Sequence, residues 1–158
     1  MGIRVGFGYD VHKLERGNDF WIGGVLIDSE LGAVGHSDAD CLIHAIIDAL
    51  LGAANLRDIG YQYPDNKEEY KGIDSKILLK DTFEKVLSKG YKIENIDSTI
   101  ALQSPKISNY IPKMKEVISQ ILNLDIDAIS IKATTTERLG FVGKGEGVSA
   151  YAVVLISK

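Results

Sequence analysis

The sequence predicts a single α+β domain over residues 1–158, built on a mixed four-stranded sheet with an N-terminal hairpin-like extension and helices largely on one face. Stretches rich in Val, Ile, Phe, Tyr and Trp open and close the chain, and read as strands. Between them lie segments with apolar residues at helical spacing. The resulting order, ββααβαββ, with no internal repeat, linker or low-complexity stretch, is that of one mixed domain. A chain of 158 residues can bury roughly 70% of its unfolded surface.

Residues 3–11 and 20–27 are the first two strands, and Gly23-Gly24 marks a bulge or tight bend in the second. Residues 38–54 form a helix. Leu42, Ile43, Ala45, Ile46, Ile47, Ala49, Leu50 and Leu51 cover most of it, leaving Asp40, His44 and Asp48 as one polar stripe at spacings of four. Residues 55–73 carry Gly60, Pro64, Asp65, Asn66 and Gly72 without periodicity, the pattern of a binding loop or lid. A second helix spans about 74–89, with Ile77, Leu78, Phe83, Val86 and Leu87 inward and Gly90 as its stop. A strand over 91–103 follows. Ser104-Pro105 can open a helical stretch to about 122, which Pro112 should break or restart near Ile111. Strands over 128–135 and 147–156 end the chain, joined by a glycine-rich turn.

Composition narrows the function. Hydrophobic content of 45% and charged content of 25% are ordinary for a globular protein. No run approaches 18 apolar residues, so no membrane partner is expected. A net charge of −4 gives no global field to recruit nucleic acid. The strand pattern begins at once, leaving no room for a targeting peptide, and the single Cys41 suits a reducing cytoplasm.

All three histidines lie between residues 12 and 44, each near an aspartate: Asp10-Val11-His12, and His36-Ser37-Asp38-Ala39-Asp40 followed by His44. Asp10 and His12, two apart on a strand, leave the same face. His44 from the helix could complete an open three-ligand zinc site. The same residues also read as polar groups at a strand end and on a wet helix face. Lys132-Ala133-Thr134-Thr135-Thr136-Glu137 could bind phosphate, with its carboxylate on Mg²⁺, or could be a capping box, Thr134-x-x-Glu137. The glycine-rich run 140–147 lacks the Lys-Ser/Thr ending of a P-loop and reads as a hairpin-type turn. Ser104-Pro105-Lys106 is a possible anion site. These features together point to a metal-dependent enzyme acting on a small phosphorylated molecule.

Taken in order, the motifs Gly8-Tyr9-Asp10-Val11-His12, His36 to Asp40, His44 to Ala53, Asp58-Ile59-Gly60, Tyr63-Pro64-Asp65 and Lys132 to Phe141 with Gly143 to Gly147 closely resemble the 2-C-methyl-D-erythritol 2,4-cyclodiphosphate synthase family over essentially the whole chain. The resemblance implies a homotrimer with active sites at subunit interfaces. It also implies cyclisation of 4-diphosphocytidyl-2-C-methyl-D-erythritol 2-phosphate with release of CMP, in non-mevalonate isoprenoid synthesis. By position, Asp10, His12 and His44 would ligate Zn²⁺, and Glu137 would help hold Mg²⁺ or Mn²⁺, with Thr135 in the catalytic set. Asp58 and Gly60 would meet the ribose, with Ile59 between them also binding substrate; His36, Ser37, Tyr63 and Asp65 would line the methylerythritol phosphate pocket. Pro105, Lys106, Ala133, Thr134 and Thr135 would come from the neighbouring subunit to hold cytosine and its phosphates. Phe141 and Lys144 would line a cavity on the trimer axis, and Asp48 would fix the His44 ring. The chain departs from the family at Arg57 (usually glycine), Tyr63 (usually phenylalanine), Asn66-Lys67 (lacking a second aspartate) and Lys144 (usually arginine). Two other readings remain in view: a zinc-dependent phosphodiesterase, and a non-catalytic trimer that binds cytidine nucleotides or isoprenoid diphosphates.

Overall fold

The length of the first strand decides the sheet. In the computed structural model, which describes residues 2–158, β1 (Ile3–Arg16) runs for 14 residues, past its predicted end at 11. It pairs antiparallel with the last strand, β7 (Gly147–Ser157), from Ile3↔Ser157 to Lys13↔Gly147. Its far end, residues 13–16, pairs with β4 (Leu31–Val34). On the other side of β7 lies β5 (Lys92–Ala101), antiparallel, and then β6 (Ile129–Thr134), parallel to β5. The mixed sheet therefore has five strands, in the order β4-β1-β7-β5-β6. This corrects the expected four-stranded sheet. The hairpin is not an N-terminal extension but a separate ribbon of β2 (Phe20–Ile22) and β3 (Val25–Ile27). Gly23 and Gly24, at φ of 62° and 74°, make its turn, where two positive φ values match the right-handed strand twist.

Helix α1 (Cys41–Ala53) starts at Asp40, whose buried carboxylate accepts from Ile43 N at 3.0 Å. The same carboxylate takes Gly23 N and Gly24 N at 2.9 and 2.7 Å, so one side chain caps the helix and fastens the hairpin turn to it. The segment read as a loop holds a single turn, α2 (Ile59–Gln62), and a 3-10 turn at Glu68–Tyr70. Helix α3 (Ser75–Ser88) buries Ser75, Leu78, Leu79, Thr82, Phe83 and Val86, a stripe with helical spacing. Ile77 and Leu87, expected inward, lie off that stripe and are 59% and 45% exposed. Helix α4 (Ile111–Leu122) begins where Pro112 was expected to break it, because a proline in the first turn has no N–H to lose. Residues 104–107 are thus not helical, and only a 3-10 turn at Ser108–Tyr110 precedes α4. A short helix, α5 (Gly140–Gly143), occupies part of the predicted turn between β6 and β7.

The seat of α1 on the sheet sets up the site. Even-numbered residues of β1 face the helix, and two are glycines. A Cβ at Gly6 would lie 1.9 Å from Ala49 O, and one at Gly8 would lie 1.9 Å from Ala45 O. Helix backbone thus rests directly on strand backbone, with Ala45, Ala49 and Ala53 at spacings of four supplying the small face. Gly8→Ala would push α1 away and carry His44 with it. We expect that variant to lose about 3 kcal/mol, read as a lower urea midpoint, with weaker metal uptake.

Candidate active site

Three polar side chains converge beneath the N-terminal half of α1. Asp10 and His12 point from β1 toward the helix, and His44 comes down one turn after the Asp40 cap. His12 Nε2 is 2.7 Å from Asp10 Oδ2, His44 Nδ1 is 3.2 Å from the same oxygen, and the two ring nitrogens are 3.3 Å apart. The His12 and His44 rings meet edge-on. Among the described residues this is the one group of three or more His, Cys, Asp or Glu side chains close enough to share a metal ion.

The arrangement fits such an ion. Ligand atoms bound tetrahedrally at 2.0–2.1 Å are roughly 3.3 Å apart. Two of the three separations already match, and the 2.7 Å pair has to open slightly. The outer nitrogens fix the rings: His12 Nδ1 lies 3.0 Å from Val34 O, a pure acceptor, so that nitrogen carries a proton and Nε2 faces inward with its lone pair. Without an ion the cluster shares protons instead. Burial raises the Asp10 pKa, but hydrogen bonds from His12 and His44 outweigh it and hold the carboxyl at about 2. For His12, burial opposes the charge, yet the bond to Asp10 leaves its pKa above the ordinary value.

Asp48 does not meet the His44 ring, contrary to the expected pairing. Its carboxylate accepts Ile59 N at 3.0 Å, tying the start of α2 to α1, while the far nitrogen of His44 faces Ser75 Oγ at 2.7 Å and Ser37 Oγ at 3.1 Å. The reason is direction: a residue one turn further along α1 lies over the 59–62 segment, not over the ring. Ser75 is fully buried and its hydroxyl also bonds Asp38. The sequence held no sign of this pair, since Ser75 lies 31 residues from His44 and reads as an ordinary helix start.

His12 and His44 open into a cavity of about 310 Å³ lined also by His36, Ser37, Ile59, Gly60, Tyr63, Asp65, Tyr70, Ile73 and Leu78. Most residues expected at the ribose and methylerythritol pocket are thus gathered beside the cluster. Asp58 is exposed at the start of α2, outside the lining. Tyr70, Ile73 and Leu78 were not foreseen; they come from the irregular end of the loop and the start of α3.

Tyr63 shows why its hydroxyl matters. It donates to Asp81 Oδ2 at 2.6 Å, lies 2.9 Å from Thr82 Oγ1, and accepts from Lys85 Nζ at 3.4 Å. Burial and the Asp81 bond hold its phenol well above the usual range. The hydroxyl pins the cavity-lining loop to α3. Tyr63→Phe would leave buried Thr82 without that partner, and we expect a loss of about 1–2 kcal/mol, measurable as a drop of several degrees in the thermal midpoint.

Pro105, Lys106, Ala133, Thr134 and Thr135 line a different cavity, of about 370 Å³, with Leu102, Gln103, Ile107 and Ser108. The two cavities share no residue. Glu137 stands exposed just past β6, with its N–H 3.3 Å from Thr135 Oγ1. No helix starts at Thr134, so the capping-box alternative fails. Glu137 and Arg138 have φ of 53° and 64°, a sparsely populated conformation for two successive side-chain-bearing residues. Phe141 and Lys144 sit on α5 and just after it, outside both cavities.

The comparisons with known proteins agree over the full chain. A relative from Bacteroides fragilis, a 2-C-methyl-D-erythritol 2,4-cyclodiphosphate synthase, is 60% identical over 158 residues, covering 100% of this chain and 99% of its own. The structure of the bifunctional IspDF from Campylobacter jejuni superposes with a TM-score of 0.94 at 41% identity over 98% of this chain, which spans 42% of that longer protein. The Plasmodium falciparum IspF CDP complex gives a TM-score of 0.86 at 36% identity, covering 98% of this chain and 96% of its own. The model of the YgbB family matches residues 3–157, and the chain belongs to that family.

Proposed function

We propose that this chain cyclises 4-diphosphocytidyl-2-C-methyl-D-erythritol 2-phosphate to 2-C-methyl-D-erythritol 2,4-cyclodiphosphate, releasing CMP, as one catalytic domain over residues 1–158. The observation that carries the reading is the Asp10–His12–His44 cluster opening into a cavity lined in part by His36, Ser37, Ile59, Gly60, Tyr63 and Asp65, which the resemblance assigns to the substrate. In the reaction an oxygen of the substrate's 2-phosphate bonds to the β-phosphorus. The bond from that phosphorus to the oxygen bridging to the α-phosphate breaks, and its electron pair leaves with CMP. An ionised phosphate needs no strong general base, which suits a site without a nucleophile–base pair. The chain's part is to fold the substrate so that the attacking and leaving oxygens are in line, and to keep water out.

The residues divide that work. Asp10, His12 and His44 would hold Zn²⁺, and Glu137 would hold Mg²⁺ or Mn²⁺, which binds through one or two carboxylates plus substrate phosphates. When bound, the two cations polarise phosphoryl oxygens and offset repulsion between the anions. His36, Ser37, Tyr63 and Asp65 would orient the methylerythritol phosphate, with Asp58, Ile59 and Gly60 at the ribose. Pro105, Lys106, Ala133, Thr134 and Thr135 would take cytosine and its phosphates. Because those five line a separate cavity, a complete site calls for a second copy of the chain. The sheet face away from the helices is suited to such assembly: Ile3, Val5, Phe7, Tyr9, Val11, Tyr151 and Val153 lie on it with 40–66% exposure, an apolar surface that a monomer seldom shows to water. We take the assembly to be a homotrimer in the cytoplasm; no helix among the described residues is long and apolar enough to cross a membrane.

Phosphorus NMR of the substrate with protein and Mg²⁺ tests the reading. Equal amounts of CMP and a cyclic diphosphate are expected; a linear product would make the protein a phosphodiesterase, and unchanged substrate would leave only binding. Glu137→Gln should keep its zinc and lose about 10²-fold in turnover, partly restored by raised Mg²⁺. A Mg²⁺ response equal to wild type would remove Glu137 from this role.

A further inference from the structure

We propose that Ser75 and Asp38 are positioning residues that set the tautomer of His44 and thereby the affinity of the cluster for zinc. This rests on the metal-site reading above. A neutral imidazole carries its proton on one nitrogen and offers a lone pair on the other. The cluster needs the lone pair on Nδ1, which faces Asp10 and His12. A serine hydroxyl opposite Nε2 does not decide the matter alone, because it can either give or take a proton in that bond. If it gave, the His44 proton would move to Nδ1 and close the site.

Asp38 removes the ambiguity. Its Oδ2 accepts Ser75 N at 2.9 Å, and its Oδ1 accepts the Ser75 hydroxyl. A carboxylate with no proton of its own commits the one Ser75 hydroxyl proton to this bond. Ser75 Oγ is left only as an acceptor toward Nε2, 2.7 Å away, so Nε2 must carry the proton and Nδ1 must present its lone pair. Ser37 Oγ, 3.1 Å from Nε2, has no such carboxylate and cannot impose the choice. The same order excludes a nucleophilic triad, since Ser75 is fully buried and gives its proton to the aspartate and not to the imidazole. The contact also joins two segments remote in sequence. Asp38 belongs to the loop before α1 and Ser75 opens α3, and Asp38 N donates to Ile73 O at 3.2 Å beside them. The end of the cavity-lining loop is therefore fastened to the metal cluster's own support.

The test measures zinc alone. Full-length wild type, Ser75→Ala, Asp38→Ala and the double variant are stripped of metal and titrated with Zn²⁺ in competition with a chromophoric chelator. Their zinc-free thermal midpoints are recorded alongside. Each single change should weaken zinc by about 10–100-fold. The double variant should be no weaker than the worse single one, because both act through one ring nitrogen. In zinc-loaded wild type, nitrogen-15 NMR of the His44 ring should show a slowly exchanging proton on Nε2, and Ser75→Ala should lose that protection. Zinc affinity within twofold of wild type in both folded single variants, or independent additive losses, would overturn the relay. Should Ser75→Ala fail to fold, Asp38→Ala decides alone. A wild-type chain that takes up no zinc would fail differently, by removing the metal site itself and the relay with it.

Discussion

His44→Ala is expected to abolish zinc binding and turnover together while leaving a folded protein. The ring supplies one of three ligand atoms that lie 2.7–3.3 Å apart, and no other His, Cys, Asp or Glu side chain among the described residues joins the group. Without it the ion keeps two ligands, too few for a site that must also leave a position open to substrate. A bound cation contributes several kcal/mol of charge stabilisation to phosphoryl transfer, so turnover should fall roughly 10³-fold or more at 1.36 kcal/mol per decade. The fold should survive. The packing that seats α1 comes from Gly6 and Gly8 against Ala45, Ala49 and Ala53, and Asp40 still caps the helix. Metal content by mass spectrometry and product formation, measured on one preparation with its circular dichroism, check the claim. Undiminished zinc would take His44 out of the site; loss of activity with zinc retained would give the ring some other task.

Much of this site was legible in the sequence because its parts obey local geometry. Asp10 and His12 share a face through the two-residue period of a strand, and His44 faces them because Asp40 starts the helix one turn earlier. The cavity-lining residues from 36 to 65 came only through the family resemblance, by their position within its motifs, and not from local geometry. Long-range partners were not legible. Nothing local links Ser75 to His44, or Tyr63 to Asp81 and Thr82, since those contacts depend on how α3 packs beside α1. Asp48 was misplaced for a related reason: helical spacing fixes its angle on α1 but not what lies opposite. The same limit holds for the fold. Most strands and helices were read within a few residues, but β4 was not foreseen and α4 starts at Ile111, well after the expected opening at 104. One long β1 serving two partners was missed, because its last five residues, 12–16, alternate polar and apolar side chains weakly. The turn at Gly23-Gly24 was read as a bulge or a tight bend. Its two positive φ values, which make it a hairpin, are a backbone property the dipeptide permits but does not dictate.

Phe7→Asp should separate the proposed trimer into folded, inactive chains. Phe7 is 62% exposed and stands opposite Val153 in the β1–β7 ladder, with Val5 and Tyr9 two residues to either side. Tyr9 and Tyr151 are also paired, their ring centroids 5.2 Å apart, so the patch runs across both strands. In an isolated chain the substitution loses only the cross-strand contact with Val153, and its effect on stability should stay within about 1 kcal/mol. In an assembly it brings a carboxylate into the centre of an apolar contact from every subunit, where it has no partner and where like charges gather. Activity should fall at least about 10²-fold even though Asp10, His12, His44 and the 310 Å³ cavity remain intact. The loss follows from the second cavity. Thr134, Thr135, Lys106 and their neighbours share no lining residue with the first cavity, so on the proposed reading one chain alone would offer two incomplete halves. Sedimentation over a range of concentrations, with zinc content and turnover at each, separates the alternatives. A monomer with full zinc and no turnover is the expected result. A monomer that still releases CMP at the wild-type rate would mean that one chain brings its own two cavities together, and that the apolar face serves some other contact.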